Sequence, residues 1–197
     1  MKLTADRVIT THEVIKLLKT AKIRSTKAIN SKKNLCHITD YYLFSFTYYT
    51  GLRISEVCSL RWGDVSDDFL TVLGKGDKKR TVFFGELTKN NILEYKSYRK
   101  STFRFKITDP DSSVFIGQKG PLTPSAIHRR FKKLAADIGL SKSLSFHSLR
   151  HGYATRLASR GVPIPAVRDQ LGHGNVSTTS VYLHFTDQHK DMIKHIT

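Results

Sequence analysis

His147-Ser148-Leu149-Arg150-His151, followed downstream by Leu171-Gly172-His173 and then by Tyr182, is the stretch on which the reading of this chain turns. His147 and Arg150 are three positions apart, so on a helix they share one face. Leu149, Tyr153 and Leu157 fall on a different stripe, which seats the same helix in a core. Gly161, Pro163 and Pro165 end that helix and begin another, whose apolar positions Val167 and Leu171 lead to Gly172 as a helix stop. His173 follows in the loop. Ser177-Thr178-Thr179 reads as a further helix start, carrying Tyr182 about a turn on. Two imidazoles, a guanidinium and a phenol thus arrive on separate elements of one short region, a set of phosphate ligands with an oxygen nucleophile.

Outward from that stretch, Thr10 or Thr11 with Glu13 marks a helix entry, and Val14, Ile15, Leu17 and Leu18 supply its apolar face. Residues 22–36 are basic and poor in apolar side chains, which predicts an exposed loop, against solvent or against a polyanion. His37 to Tyr49 holds six aromatic residues and predicts a buried helix, with a strand as the alternative. Core packing is the better account of those rings than base stacking. Thr50-Gly51-Leu52 breaks the pattern, and Arg53 to Leu60 resumes as a helix with Ile54, Val57 and Leu60 inward. Arg53 and Glu56 then share another face, as a surface ion pair or as a Glu that orients an Arg aimed at phosphate.

Trp62 to Val65 is a turn, Phe69–Leu73 and Arg80–Phe84 are strands, and Gly74 to Lys79 joins them as a hairpin loop. Glu86 to Lys100 is an amphipathic helix, residues 101–113 a polar loop, and Val114 to Ile116 a short strand. Thr123-Pro124-Ser125 caps a helix to about Ile138 that carries Arg129, Arg130, Lys132 and Lys133. The fold class expected is mainly α with a small antiparallel β-sheet.

Thirty-three Lys and Arg against sixteen Asp and Glu give a formal charge of +17 over 197 residues. A surplus of that size favours a polyanionic partner, DNA or RNA. No apolar run approaches a membrane span, and Met1 to Asp6 lacks the plan of a secretory signal. Cys36 and Cys58 show no metal-ligand spacing and read as small buried hydrophobes, so a reduced, cytoplasmic protein is expected.

Gly51-Leu52-Arg53-Ile54-Ser55-Glu56, Gly74-Lys75-Gly76, His147-Ser148-Leu149-Arg150-His151, Leu171-Gly172-His173 and Tyr182, nine positions after His173, resemble the tyrosine recombinases of the phage integrase family. Each motif alone is weak; their order and spacing together are not. The resemblance spans about Thr10 to Gln188 and implies a site-specific DNA recombinase that cleaves and rejoins strands through a 3′-phosphotyrosyl intermediate. It implies six catalytic residues: Arg53 and Arg150 clamping the phosphate, His147 and His173 hydrogen-bonding it with His147 as the base, Lys75 protonating the 5′ leaving oxygen, and Tyr182 as nucleophile. Glu56 would orient Arg53 or a neighbouring histidine, and His151 would stand behind the site. No metal or cofactor is implied, because the arginines supply the positive charge.

On this resemblance the partner is double-stranded DNA, held by a tetramer or dimer of dimers, with accessory DNA-bending proteins and a nucleoid location in a mobile-element or host setting. Lys32, Lys33, Arg129, Arg130, Lys132 and Lys133 are the candidate backbone contacts. Residues 1–197 are expected to be one catalytic domain, with the family's N-terminal core-binding domain absent, either as a short stand-alone type or as a fragment of a longer integrase. Met192, Ile193 and Ile196 would dock on a neighbouring protomer. A type IB topoisomerase-like activity and a non-catalytic DNA-binding regulator are the alternatives; the compact spacing and the presence of Tyr182 weigh against them.

Overall fold

The computed structural model describes residues 8–74, 79–102, 107, 109–172 and 187–196. Lys75, His173 and Tyr182, and the helix expected from Ser177, lie outside the described residues.

Helix α1 (Thr11–Ser31) begins where the Thr10 hydroxyl accepts from the Glu13 amide at 3.2 Å while the Glu13 carboxylate accepts from the Thr10 amide at 2.8 Å. That reciprocal cap satisfies donors that no helix can satisfy internally. The helix runs through most of the segment expected as a loop. Its buried stripe there is Ala21, Ser25 and Ala28, small residues that carry little hydrophobic signal yet let another backbone approach closely. The real loop is short, and Lys32 closes the helix in the left-handed region at φ 54°.

Helix α2 (Cys36–Thr50) is the centre of the molecule, packed against α1 and against helices α4 (Glu86–Ser101) and α6 (Phe146–Ser159). Nearly every side chain of its second half is buried, so it shows no amphipathic stripe to read. Tyr42, Phe44, Phe46 and Tyr48 pack in the core; Phe44 meets Phe131 edge-on at 5.8 Å and Phe46 meets Phe115 at 5.6 Å. The buried Thr39 and Tyr95 hydroxyls hydrogen-bond at 3.2 Å, so neither is left unsatisfied. The rings belong to the core.

Gly51 ends α2 at φ 67°, and α3 (Ile54–Ser59) starts at once with Arg53 as its N-cap. A 3-10 turn, Trp62–Asp64, leads into the antiparallel hairpin of β1 (Phe69–Leu73) and β2 (Lys79–Phe83), in the register Leu70 to Val82 and Val72 to Arg80. The third expected strand is displaced: among the described residues β3 (Ile116–Gly117) pairs with β4 (Gly120–Pro121), while Val114 donates its amide to Leu60. Helix α5 (Pro124–Asp137) starts at the Thr123 cap.

A second, smaller core joins α6, α7 (Ile164–Leu171) and α8 (Asp187–Ile196) through Tyr153, Leu157, Val162, Val167, Leu171, Ile193 and Ile196. Ile193 and Ile196 are therefore covered within the chain's own fold, and Lys194 pairs with Asp68 beside the hairpin. These are the side chains expected on a neighbouring protomer; in the single chain they seat α8 at home. Among the described residues, no helix is long and apolar enough to cross a membrane.

Candidate active site

Three arginines far apart in sequence meet at the C-terminal end of α7. The last carbonyls of a helix have no partner within it and carry the negative end of its dipole. Here they accept from cations in succession: Gln170 from Arg80 Nε at 3.4 Å, Leu171 from Arg150 Nη2 at 2.7 Å, and Gly172 from Arg53 Nη2 at 2.6 Å. Arg150 also donates Nη1 to the Gly51 carbonyl at 2.6 Å, tying the end of α2 to the end of α7.

One carboxylate balances this cluster. Glu56, only 4% exposed, accepts the Arg53 backbone amide on Oε2 at 2.7 Å and Arg53 Nη1 on Oε1 at 2.8 Å. Arg80 grips the same group with a fork, Nη1 on Oε1 and Nη2 on Oε2 at 3.1 Å. Burial pushes the Glu56 carboxyl up, but the hydrogen bonds and charge of Arg80, then those of Arg53, outweigh it and hold it below the usual carboxylate range. The surface ion pair expected as one reading of Arg53 and Glu56 is thus a buried network. Three guanidiniums against one carboxylate leave a net positive centre, fit for an anion.

The arginines differ in exposure. The Arg53 side chain is 31% exposed and Arg80 10%, while Arg150 as a residue is 3% exposed. Burial, and then the charge of Arg53, lowers the Arg150 pKa to about 9, so it stays cationic at neutral pH. His147 sits exposed at the start of α6, with its ring edge-on to His151 at 4.6 Å between centroids. Burial and then the Arg150 charge depress the His151 pKa, disfavouring its charged form.

Two glycines make the close packing possible. A Cβ on Gly51 would lie 2.4 Å from the Tyr153 ring, and one on Gly172 would lie 2.7 Å from the Arg80 side chain; both residues have φ 67°.

Of the expected site, Arg53, Glu56 and Arg150 come together at the junction of α3, α6 and α7, His147 lies one helical turn before Arg150 on α6, and Lys75, His173 and Tyr182 fall outside the described residues. Arg80 was missed. The signal for it was present: on β2 it shares the inward parity of Val82, where an arginine needs a buried partner. Tyr153 is fully buried and burial drives its hydroxyl further up, a poor nucleophile.

The basic cluster of α5 divides. Arg129 and Lys133 are exposed, as are Lys32 and Lys33. Arg130 instead pairs with Asp40 at 3.1 Å and Lys132 gives its ammonium to the Lys142 carbonyl at 2.6 Å, so both are committed within the fold. Cys36 and Cys58 are half-buried rather than buried, and burial pushes the Cys58 thiol up to about 11. Cys36, His37 and Asp40 bring donor atoms within 4.8 Å of one another, a grouping not seen in the sequence. Arg130 on Asp40, with Arg24 and Lys133 around the same cleft, sets positive charge against any cation there.

The sequence pattern of the phage integrase family matches residues 7–189. The chain belongs to that family. A tyrosine recombinase from Pseudothermotoga lettingae is 40% identical over 154 residues, covering 77% of this chain and 51% of the relative. The tyrosine recombinase XerD of Lacticaseibacillus casei is 34% identical over 163 residues, covering 81% and 55%. Among solved structures, the XerA recombinase superposes with a TM-score of 0.69 at 28% identity, covering 92% of this chain and 61% of the other. The XerH recombinase bound to a palindromic difH substrate, a post-cleavage complex, shares the fold with a TM-score of 0.68 at 23% identity, covering 94% and 51%. The chain spans about half the length of the curated relatives it matches.

Proposed function

We propose that this chain cleaves and rejoins DNA strands at specific sites, with Tyr182 as the nucleophile and a 3′-phosphotyrosyl link as the intermediate. The observation that carries the reading is the cluster of three guanidiniums at the end of α7, two of them, Arg53 and Arg80, on one buried carboxylate and the third, Arg150, on main-chain carbonyls. A phosphodiester under attack gathers negative charge on its non-bridging oxygens, and planar guanidiniums match that geometry with paired donors. Arg53 and Arg150 hold the phosphate, His147 takes the Tyr182 proton, His173 donates a hydrogen bond and Lys75 protonates the departing 5′ oxygen. A free phenol titrates near 10, so the cationic centre and the base are what make it competent. The family's recombinase relatives support the same chemistry.

The partner on this reading is duplex DNA, with Lys32, Lys33, Arg129 and Lys133 as the exposed phosphate contacts. Paired strand exchange needs several active sites together, hence a tetramer or dimer of dimers on DNA, with DNA-bending proteins as accessories and a nucleoid location.

The test is a nicked duplex carrying the native site, which traps a cleaved strand on the protein, read as a covalent protein–DNA band on a denaturing gel. The wild type forms the band, and Tyr182→Phe binds DNA equally but forms none. An adduct of undiminished yield in Tyr182→Phe refutes the assignment of the nucleophile, and wild-type binding with no adduct leaves a DNA-binding regulator as the reading.

A further inference from the structure

We infer that Arg80 is a positioning residue for strand cleavage, acting through Glu56 to fix the guanidinium of Arg53; the inference rests on the cleavage reading above.

All three guanidinium nitrogens of Arg80 are engaged by the protein: Nη1 and Nη2 on the two oxygens of Glu56, and Nε on the Gln170 carbonyl at 3.4 Å. Its side chain is 10% exposed, against 31% for Arg53. What sets Arg80 apart from Arg53 and Arg150 is that both of its terminal nitrogens are spent on the two oxygens of one carboxylate, which places it to hold Glu56. Glu56 alone has freedom to rotate about its side-chain bonds. A fork on both oxygens removes that freedom, because a planar guanidinium fixes the carboxylate plane. The fixed Oε1 then sets Arg53 Nη1, while the Gly172 carbonyl sets Nη2, so Arg53 is held at two points.

The other end of the arrangement reaches α7. Arg80 packs so closely on Gly172 that a Cβ there would stand 2.7 Å from its Cδ and Nε. Beside it, the Gln170 side chain pairs with Phe83 of β2, donating Nε2 to the carbonyl at 2.6 Å and accepting the amide on Oε1 at 3.3 Å. Strand β2, the carboxylate behind Arg53 and the end of α7 are thereby braced together by Arg80 and Gln170.

The test measures adduct formation on the nicked duplex for wild type, Arg80→Met, Arg80→Lys, Glu56→Gln and the Arg80→Met/Glu56→Gln double variant, at saturating and limiting DNA. Arg80→Met should cleave about 100-fold more slowly at saturating DNA, the scale of an ångström-sized misplacement, with the half-saturating DNA concentration within about threefold. Arg80→Lys should stay slow, since an ammonium cannot span both oxygens. The double variant should be no slower than Glu56→Gln, because both changes remove one contact. The acid limb of the rate profile in Arg80→Met should move to higher pH, as Glu56 then protonates more readily. A full rate in Arg80→Met, restoration by Arg80→Lys, or multiplied losses in the double variant overturns the inference. Should Arg80→Met fail to fold by circular dichroism, the saturating rate and the pH profile of Arg80→Lys decide. A wild type without an adduct refutes the cleavage reading and the positioning role together, and is told apart because it appears before any variant is compared.

Discussion

Two groups of basic residues in this chain look alike in sequence and differ in every physical respect. On α5, Arg129 and Lys133 project from an exposed face. At the end of α7, Arg53, Arg80 and Arg150 are wholly or largely covered, and each is tied to a main-chain carbonyl. The exposed group keeps its hydration and contributes a long-range, salt-screened field. The covered group has lost much of its water, so its fields act at low dielectric and its geometry is fixed before any ligand arrives. Net charge tells of a polyanion; commitment to neighbours tells where chemistry is done.

Removing the counter-charge is the strongest way to break that contrast. Glu56→Ala leaves Arg53 and Arg80 facing a common void with no carboxylate, and should cost about 3–5 kcal/mol of stability in urea unfolding at neutral pH. Lys133→Ala should leave stability within about 0.5 kcal/mol. The Glu56 effect should also depend on pH. Its folded carboxyl titrates below the usual range, so its contribution is complete above that range and fades as pH falls through the folded value. The stability difference between wild type and Glu56→Gln should therefore shrink in acid; a difference that is flat down to unfolding would mean that Glu56 is not ionised in the native state.

A smaller effect comes from the geometry that lets the arginines converge. Gly51→Ala places a methyl 2.4 Å from the Tyr153 ring at φ 67° and disturbs the carbonyl that accepts from Arg150. Left-handed backbone strain and overpacking together should cost about 2–4 kcal/mol, seen as a lowered melting temperature. A melting temperature unchanged by Gly51→Ala would show that the α2–α7 junction is looser than described.

Much of this was legible before the fold was known, and the parts that were not have definable causes. The Thr10–Glu13 cap, the hairpin strands and the α7 stop at Gly172 follow local rules that act within one turn. The second half of α1 was invisible because Ala21, Ser25 and Ala28 bury by fitting closely, not by being greasy. Arg53 and Glu56 were legible as neighbours, three positions apart. That their carboxylate is buried depends on Arg80, 24 positions away, and on Gln170, 90 positions beyond that. The division of the α5 cluster likewise turns on Asp40, from another helix. Contacts of that range are decided by packing, and motif spacing alone does not report them.

The most direct measurement compares Arg53→Ala with Lys133→Ala on one nicked duplex, taking cleavage rate at saturating DNA and affinity across a salt series. Arg53→Ala should lose at least about 100-fold in rate, the scale of one lost transition-state donor, with its affinity nearly kept. Lys133→Ala should cleave at the wild-type rate while its slope of log affinity against log salt falls by about 0.9, one phosphate contact. If Arg53→Ala instead keeps the wild-type rate at saturating DNA and loses only affinity, as expected of Lys133→Ala, the arginine centre at the end of α7 is a binding surface like α5, and its assignment to catalysis is wrong.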